Sequence, residues 1–121
     1  MTKIEDQTAN TAATVGRFSA ALDRRDVDGL LAEMTDDVVL ESPGPAPDGE
    51  RFEGAAAVRE FFTRFFEANP HAKFDEEEVF AAGERCVVRW RYNWGEGHVR
   101  GVDVMRLRDG RIAETLGYVK G

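Results

Sequence analysis

The chain has 121 residues, 42% hydrophobic and 32% charged, which is enough apolar material for one core and too much for a disordered chain. Its formal net charge of −7 opposes binding to a phosphate backbone, which needs a basic face, so nucleic acid is excluded as a partner. No apolar run reaches the roughly 18 residues of a membrane helix, Met1-Thr2-Lys3-Ile4-Glu5-Asp6 lacks the apolar stretch of a secretory signal, and a lone cysteine, Cys86, closes no internal disulfide, so one soluble domain over residues 1–121 in a reducing cytoplasm is expected.

The first ten residues are polar and expected to fray, with 1–7 disordered. Over residues 8–24, Val15, Phe18 and Leu22 recur at helical spacing with Ala12 and Ala21 beside them. Asp26 reads as the N-cap of a short helix over 27–33, with Leu30 and Leu31 inward. Residues 37–42, Asp-Val-Val-Leu-Glu-Ser, read as a strand. The segment 43–49 carries prolines at 43, 45 and 47, which exclude helix and ladder; it is either a lid at a pocket mouth or a plain connection. Residues 55–68 make the clearest helix, with Val58, Phe61, Phe62, Phe65 and Phe66 on one face, chiefly core, one or two of them free to line a pocket. Asn69-Pro70 ends it.

Strands fill the second half. Residues 73–81 are the least regular. Over 85–94, Cys86, Val88, Trp90, Tyr92 and Trp94 alternate with Arg85, Arg89, Arg91 and Asn93, Val87 being the one apolar residue on the second face. Over 98–108, Val99, Gly101, Asp103, Met105 and Leu107 alternate with His98, Arg100, Val102, Val104, Arg106 and Arg108. Asp109-Gly110 signals a hairpin into a last strand over 111–119. Helices first and an antiparallel sheet afterwards make an α+β fold, with helices covering one face of a sheet curled around an apolar pocket.

Asp103 breaks that pattern. A carboxylate on an apolar inner face is unfavourable unless it is paired or neutralised, and burial raises its pKa until it can donate a hydrogen bond or move protons near neutral pH. The plainer alternatives are an Asp that merely bonds Trp90, Tyr92 or Trp94, and a bulge that turns it outward.

The other reactive side chains read more blandly. His71 sits in a loop and His98 on the outer face beside Arg100; neither has the spaced ligand set of a metal site, and His98 reaches the pocket mouth only if its turn twists inward. Cys86 is a small core hydrophobe with no activating base at a defined spacing. Arg85, Arg89, Arg91, Arg100, Arg106 and Arg108 can pair across strands with Asp75, Glu76, Glu77, Glu78 and Glu114. No glycine-rich phosphate loop is present, so no cofactor is implied.

Phe18 in Val15-Gly16-Arg17-Phe18, the run from Asp36 to Pro43, the helix from Gly54 to Phe62 and Gly101-Val102-Asp103-Val104-Met105-Arg106 together resemble the SnoaL-like and ketosteroid-isomerase-like members of the nuclear transport factor 2-like superfamily. The resemblance covers nearly the whole chain in order. It implies a cone-shaped, curved antiparallel sheet closed by about three helices, and a homodimer formed through the outer sheet face, here Val87, Val102, Val104 and Leu116 with flanking arginines.

Ketosteroid isomerase uses an Asp base on the first strand, and a Tyr with a protonated Asp as the oxyanion hole. The base position falls on Ser42, the Tyr on Phe18 and the oxyanion Asp on Asp103. Two of three groups are thus missing, and Glu41 should point to the opposite face, so classical steroid isomerisation is not expected. The SnoaL-like cyclases, similar in fold, rely on a pocket acid/base acting on an already acidic carbon, a role open to Asp103. The expected lining is Phe18, Leu40, Ser42, Val58, Phe62, Val88, Trp90, Tyr92, Trp94, Val99, Gly101 and Met105. The expected ligand is an apolar small molecule, turned over as a carbonyl substrate of an isomerase, cyclase or lyase, or simply bound; the remaining alternative is a dimeric interaction module that works through the outer face.

Overall fold

The computed structural model describes residues 2–121. Thr2 starts the first helix, α1 (Lys3–Arg24): its hydroxyl accepts from Glu5 N–H at 3.1 Å, while the Glu5 carboxylate accepts from Thr2 N–H at 3.2 Å. This reciprocal cap satisfies two orphan amides, and Glu5 and Asp6 face the positive end of the helix dipole. The disorder expected over 1–7 is therefore corrected for residues 3–7, which are helical; residue 1 lies outside the described residues.

Arg25 ends α1 in a left-handed conformation, φ 59°. Asp26 caps α2 (Val27–Ala32), its Oδ1 accepting from Gly29 N–H at 2.9 Å. β1 (Met34–Glu41) leads through the proline segment to β2 (Arg51–Glu53), a three-residue strand too short to show an alternation. Then follow α3 (Ala55–Ala68), β3 (Lys73–Ala82), β4 (Arg85–Asn93), β5 (His98–Arg108) and β6 (Arg111–Val119).

The six strands form one curved, unclosed sheet in the order β2-β1-β6-β5-β4-β3. The wholly antiparallel sheet is corrected in one pairing: β1 runs parallel to β6. Those two strands are separated in sequence by α3 and four further strands, so no hairpin sets their mutual direction. β3 carries a bulge between Glu76 and Glu78. Before it Phe74 and Glu76 pair with Tyr92 and Trp90; after it Val79 and Ala81 pair with Val88 and Cys86, so the inward set switches from even to odd positions.

The core lies between helices and sheet, with Val15, Leu30, Val38, Val58 and Ile112 wholly buried. Two buried threonines fasten α1 across the sheet. Thr11 Oγ1 donates to Gly83 O and Thr14 Oγ1 to Gly110 O, each at 2.7 Å, so the helix is held to the β3–β4 and β5–β6 turns. No helix is long and apolar enough to cross a membrane.

Candidate functional site

Helices α1 and α3 and the inner sheet face enclose a cavity of about 300 Å³. Its walls are mostly aromatic because α3 contributes Phe61, Phe62 and Phe65 at helical spacing and α1 adds Phe18 and Leu22. The sheet contributes Leu40, Phe74, Trp90, Tyr92, Val99, Thr115 and Val119. Phe74 meets the Trp90 ring edge-on at 5.5 Å and the Tyr92 ring at 4.7 Å, so the wall is continuous.

Asp103 lies in this lining. It pairs with Val88 on β4 and Gly117 on β6, and the little exposure it retains faces the cavity. Burial pushes its carboxyl from 3.8 up to about 7, and the Trp90 indole N–H acts in the opposite direction. That pair falls short of hydrogen-bond geometry, and Trp90 Nε1 meets no protein acceptor. Glu41, expected on the opposite face, is corrected: it stands in the lining too, next to Ser42 at the end of β1, with its carboxylate held at 2.9 Å by Arg51. Asp103 also lines a second cavity of about 50 Å³ beside Phe18, Val88 and Met105, whose outer lip is Ser19, Asp23 and Glu76. Glu76 shares the register face of Trp90 and accepts from Ser19 Oγ at 3.2 Å while remaining exposed; the acidic run around it hid this contact with α1 from the sequence.

Phe18, Leu40, Ser42, Phe62, Trp90, Tyr92 and Val99 all stand in the main lining with Asp103. Ser42 is buried and committed to the backbone: its hydroxyl donates to Gly44 O at 2.7 Å and accepts from Glu50 N–H at 3.0 Å. Those bonds cinch the proline segment, whose Pro43 and Gly44 wall the cavity. Val88 and Met105 line only the smaller cavity.

The remaining lining residues expected from alternation are corrected. Val58 is wholly buried core. Gly101 lies beneath the Trp90 ring, where a Cβ would come within 2.7 Å of two ring carbons and against Tyr118 O, so it supports the wall from behind. Trp94 is 45% exposed, because β4 ends at Asn93 and the ring folds over Gly97 of the following turn. His98 is exposed on the outer face, its Nδ1 3.2 Å from Arg91 Nη2. Burial pushes the Cys86 thiol up to about 11, as in an unreactive core cysteine. The α3 face supplies three lining rings, Phe61, Phe62 and Phe65, where one or two were expected, and alternation missed Phe74 and Val119, whose placement depends on how far the strand ends curve over the cavity. Among the described residues no group of three His, Cys, Asp or Glu side chains gathers to hold a metal.

The SnoaL-like domain model matches residues 15–115. Among solved structures, an NTF2-like protein of unknown function from Mesorhizobium loti is 40% identical, with a TM-score of 0.86 over 95% of this chain and 94% of that one. An NTF2-like protein of unknown function from Burkholderia pseudomallei is 27% identical (TM-score 0.76, 92% and 91% covered). A steroid delta-isomerase from Pseudomonas aeruginosa is 26% identical (TM-score 0.75, 93% and 81% covered). No curated protein matches.

Proposed function

The chain belongs to the SnoaL-like domain family, and from that premise we propose that it is a cofactor-independent acid/base enzyme acting on an apolar carbonyl compound through Asp103. The observation that carries this reading is the Asp103 carboxyl itself, raised to about 7 in an aromatic cavity and free of any ion-pair partner. At neutral pH such a group exists in both forms. Ionised, it removes a proton from a carbon next to the carbonyl; neutral, it returns that proton to carbon or donates a hydrogen bond to the enolate oxygen. Returned to a different carbon, the proton completes an isomerisation; attack of the enolate on a second carbonyl completes an aldol-type cyclisation.

No second free base stands in the lining, since the Glu41 carboxylate is held by Arg51, the Ser42 hydroxyl is bound up in its loop and Phe18 has no hydroxyl. The substrate must therefore bring an acidic C–H of its own, as between two carbonyls, and a steroid enone handled by three enzyme groups fits poorly. The same deficit favours a second reading, in which the cavity holds an apolar ligand without changing it. The proposed setting is a reducing cytoplasm, and the proposed partner is a second copy of the chain on the outer sheet face.

Thermal shift of wild type and Asp103→Asn against apolar diketones, phenols and polyketide mimics tests the first reading, followed by mass spectrometry of each binder. A ligand at a hundredfold excess over Kd stabilises by about 2.7 kcal/mol, readily seen as a melting shift. A converted ligand whose conversion stops in Asp103→Asn is expected. Conversion that persists in the variant would remove Asp103 from the chemistry, and ligands recovered unchanged from wild type would leave binding alone.

A further inference from the structure

Asp103 stands in the partition between two cavities. The main cavity and the smaller one of about 50 Å³ have Phe18, Leu22, Phe74, Trp90 and Asp103 in common, so the carboxyl is the one ionisable group set in both walls. Its oxygens receive no completed hydrogen bond from the protein, and unlike Trp90 Nε1 they are not sealed from water. On the main side Asp103 meets aromatic rings. On the other side the chamber ends at Ser19 and Asp23 of α1 and Glu76 of β3.

Glu76 holds an unusual register position. The inner row of β3 runs Phe74 and Glu76, then Val79 and Ala81 after the bulge, and Glu76 is its one charged member. It sits two strands from β5 and two residues from the level of Asp103, so the two Cα atoms lie roughly 12 Å apart by strand spacing. Its carboxylate accepts from Ser19 Oγ at 3.2 Å, which holds it at the lip of the chamber while it stays exposed. Its charge is also felt inside, where it adds to the effect of burial in pushing the Cys86 thiol up.

The chamber has room for two or three water molecules at roughly 15–30 Å³ each, and water settles where polar partners are offered. The partners here are the unbonded Asp103 oxygens at one end and Ser19, Asp23 and Glu76 at the other. A ligand that fills the main cavity closes that side of the carboxyl to solvent and leaves the rear open. We infer that the smaller chamber is a water-filled proton path between Asp103 and Glu76, by which the carboxyl exchanges its proton with solvent while the main cavity is occupied. The inference rests on the acid/base reading of Asp103 and adds how that acid is reset. The Asp103 carboxylate takes a proton from a substrate carbon, whose electron pair stays behind in the enolate. The neutral acid passes the proton to a chamber water, which gives one of its own outward to Glu76 and so to bulk solvent. The reverse flow delivers a solvent proton to carbon. The path therefore favours reactions that draw their carbon-bound proton from water over those that hand one proton directly between two carbons.

Two probes test this in heavy water: 2-tetralone, a two-ring ketone with acidic hydrogens between ring and carbonyl, and 2-naphthol, which has the shape of its enol and fills the main cavity without reacting. Proton NMR is expected to show wild type exchanging those hydrogens of 2-tetralone for deuterium, with the rate falling about a hundredfold in Asp103→Asn. Ser19→Leu closes the lip and is expected to slow exchange on the order of tenfold while binding 2-naphthol like wild type. Glu76→Gln, at an exposed position that folding tolerates, is expected to slow it several-fold. In ordinary water with 2-naphthol bound, magnetisation should pass from bulk water to the methyl of Met105, which lines the smaller chamber and not the main cavity, and should fail to do so in Ser19→Leu. No transfer to Met105 in the wild-type complex, or exchange unchanged in both lip variants, overturns the path and leaves Asp103 as the base. Wild-type exchange no faster than that of Asp103→Asn overturns the acid/base reading, and the path with it. Failure of wild type to bind 2-naphthol overturns the cavity reading for ring compounds, and again the path falls with it.

Discussion

Asp103 takes up a proton when the chain folds. Its carboxyl titrates near 3.8 when exposed and near 7 when buried, so between those values the folded chain binds more protons than the unfolded one. Stability is then greatest below about pH 3.8 as far as this group is concerned, and falls as pH rises to about 7. Wild type should lose on the order of a few kcal/mol over that window, while Asp103→Asn, which cannot ionise, should lose much less. Urea denaturation at pH 4, 5.5, 7 and 8 measures both, and a wild-type-to-variant difference independent of pH would count against the buried carboxyl. Asp26 and Asp37 do not confuse the reading. The Gly29 amide holds Asp26, and the Arg108 guanidinium holds Asp37, below the ordinary value, so their contributions are lost only as pH falls under about 4. Gly117 is the residue that makes room for this carboxyl. A Cβ there would stand 2.9 Å from Pro43 Cδ and 3.3 Å from Asp103 Oδ1. Gly117→Ala should destabilise the fold by about 1–3 kcal/mol and move the proline segment, measurable as a lower denaturation midpoint and as altered amide shifts over 42–50. Asp103 was legible in the sequence because a carboxylate interrupts an apolar alternation. Gly117 was not, because its meaning comes from the register that sets β6 against both β5 and the segment after β1.

At the scale of elements, the position of α1 decides whether a cavity exists, and two hydroxyls hold it. Thr14 is 1% exposed and its donation to Gly110 O spans 96 residues of sequence. Thr14→Val keeps the shape and removes the donor, leaving a half-buried carbonyl without its partner, so a loss of about 1 kcal/mol is expected by chemical denaturation. A loss below about 0.5 kcal/mol would mean that water reaches Gly110 and that the helix is held by apolar packing alone. The helices themselves were written locally: the α3 phenylalanines repeat every three to four residues, and Asp26 announces α2 by its own cap. What the pattern could not carry were features fixed by distant partners. β2 exists because Val39, Leu40 and Glu41 offer it an edge, and its own three residues show no period. The parallel match of β1 with β6 and the bulge in β3 are likewise properties of pairs of strands. Trp94 shows the reverse failure: alternation was extended one residue past the last ladder pair, into a turn.

For the molecule as a whole, the two faces of the sheet differ in what they expose. Where Cys86, Val88 and Trp90 face inward, the residues between them point out, and the ladder aligns Phe80, Val87, Val104 and Leu116 in one row across four strands. A second row runs Glu78, Arg89, Val102, Tyr118. Phe80 and Tyr118 are 60% and 54% exposed, an apolar stripe that water covers at a cost. The arginines beside it are largely neutralised in place: Arg100 lies 3.1 Å from Glu77, Arg89 3.6 Å from Glu78 and Arg106 3.9 Å from Glu114. Ion pairs of this kind, exposed to solvent, add little stability, but they leave a patch with little net repulsion between two copies. A self-complementary pairing of the stripe about a twofold axis would bury it in both protomers at once. Val104→Glu sets a carboxylate in the middle of the row, opposite its own image in such a pair, so light scattering at micromolar concentration should move from a dimer mass to a monomer mass. Because Val104 faces away from Asp103, the monomeric variant should still bind 2-naphthol with the wild-type affinity. A wild type that is already monomeric at these concentrations would return the outer face to solvent. A monomeric variant that no longer binds 2-naphthol would mean instead that pairing holds the sheet in the curvature that shapes the cavity.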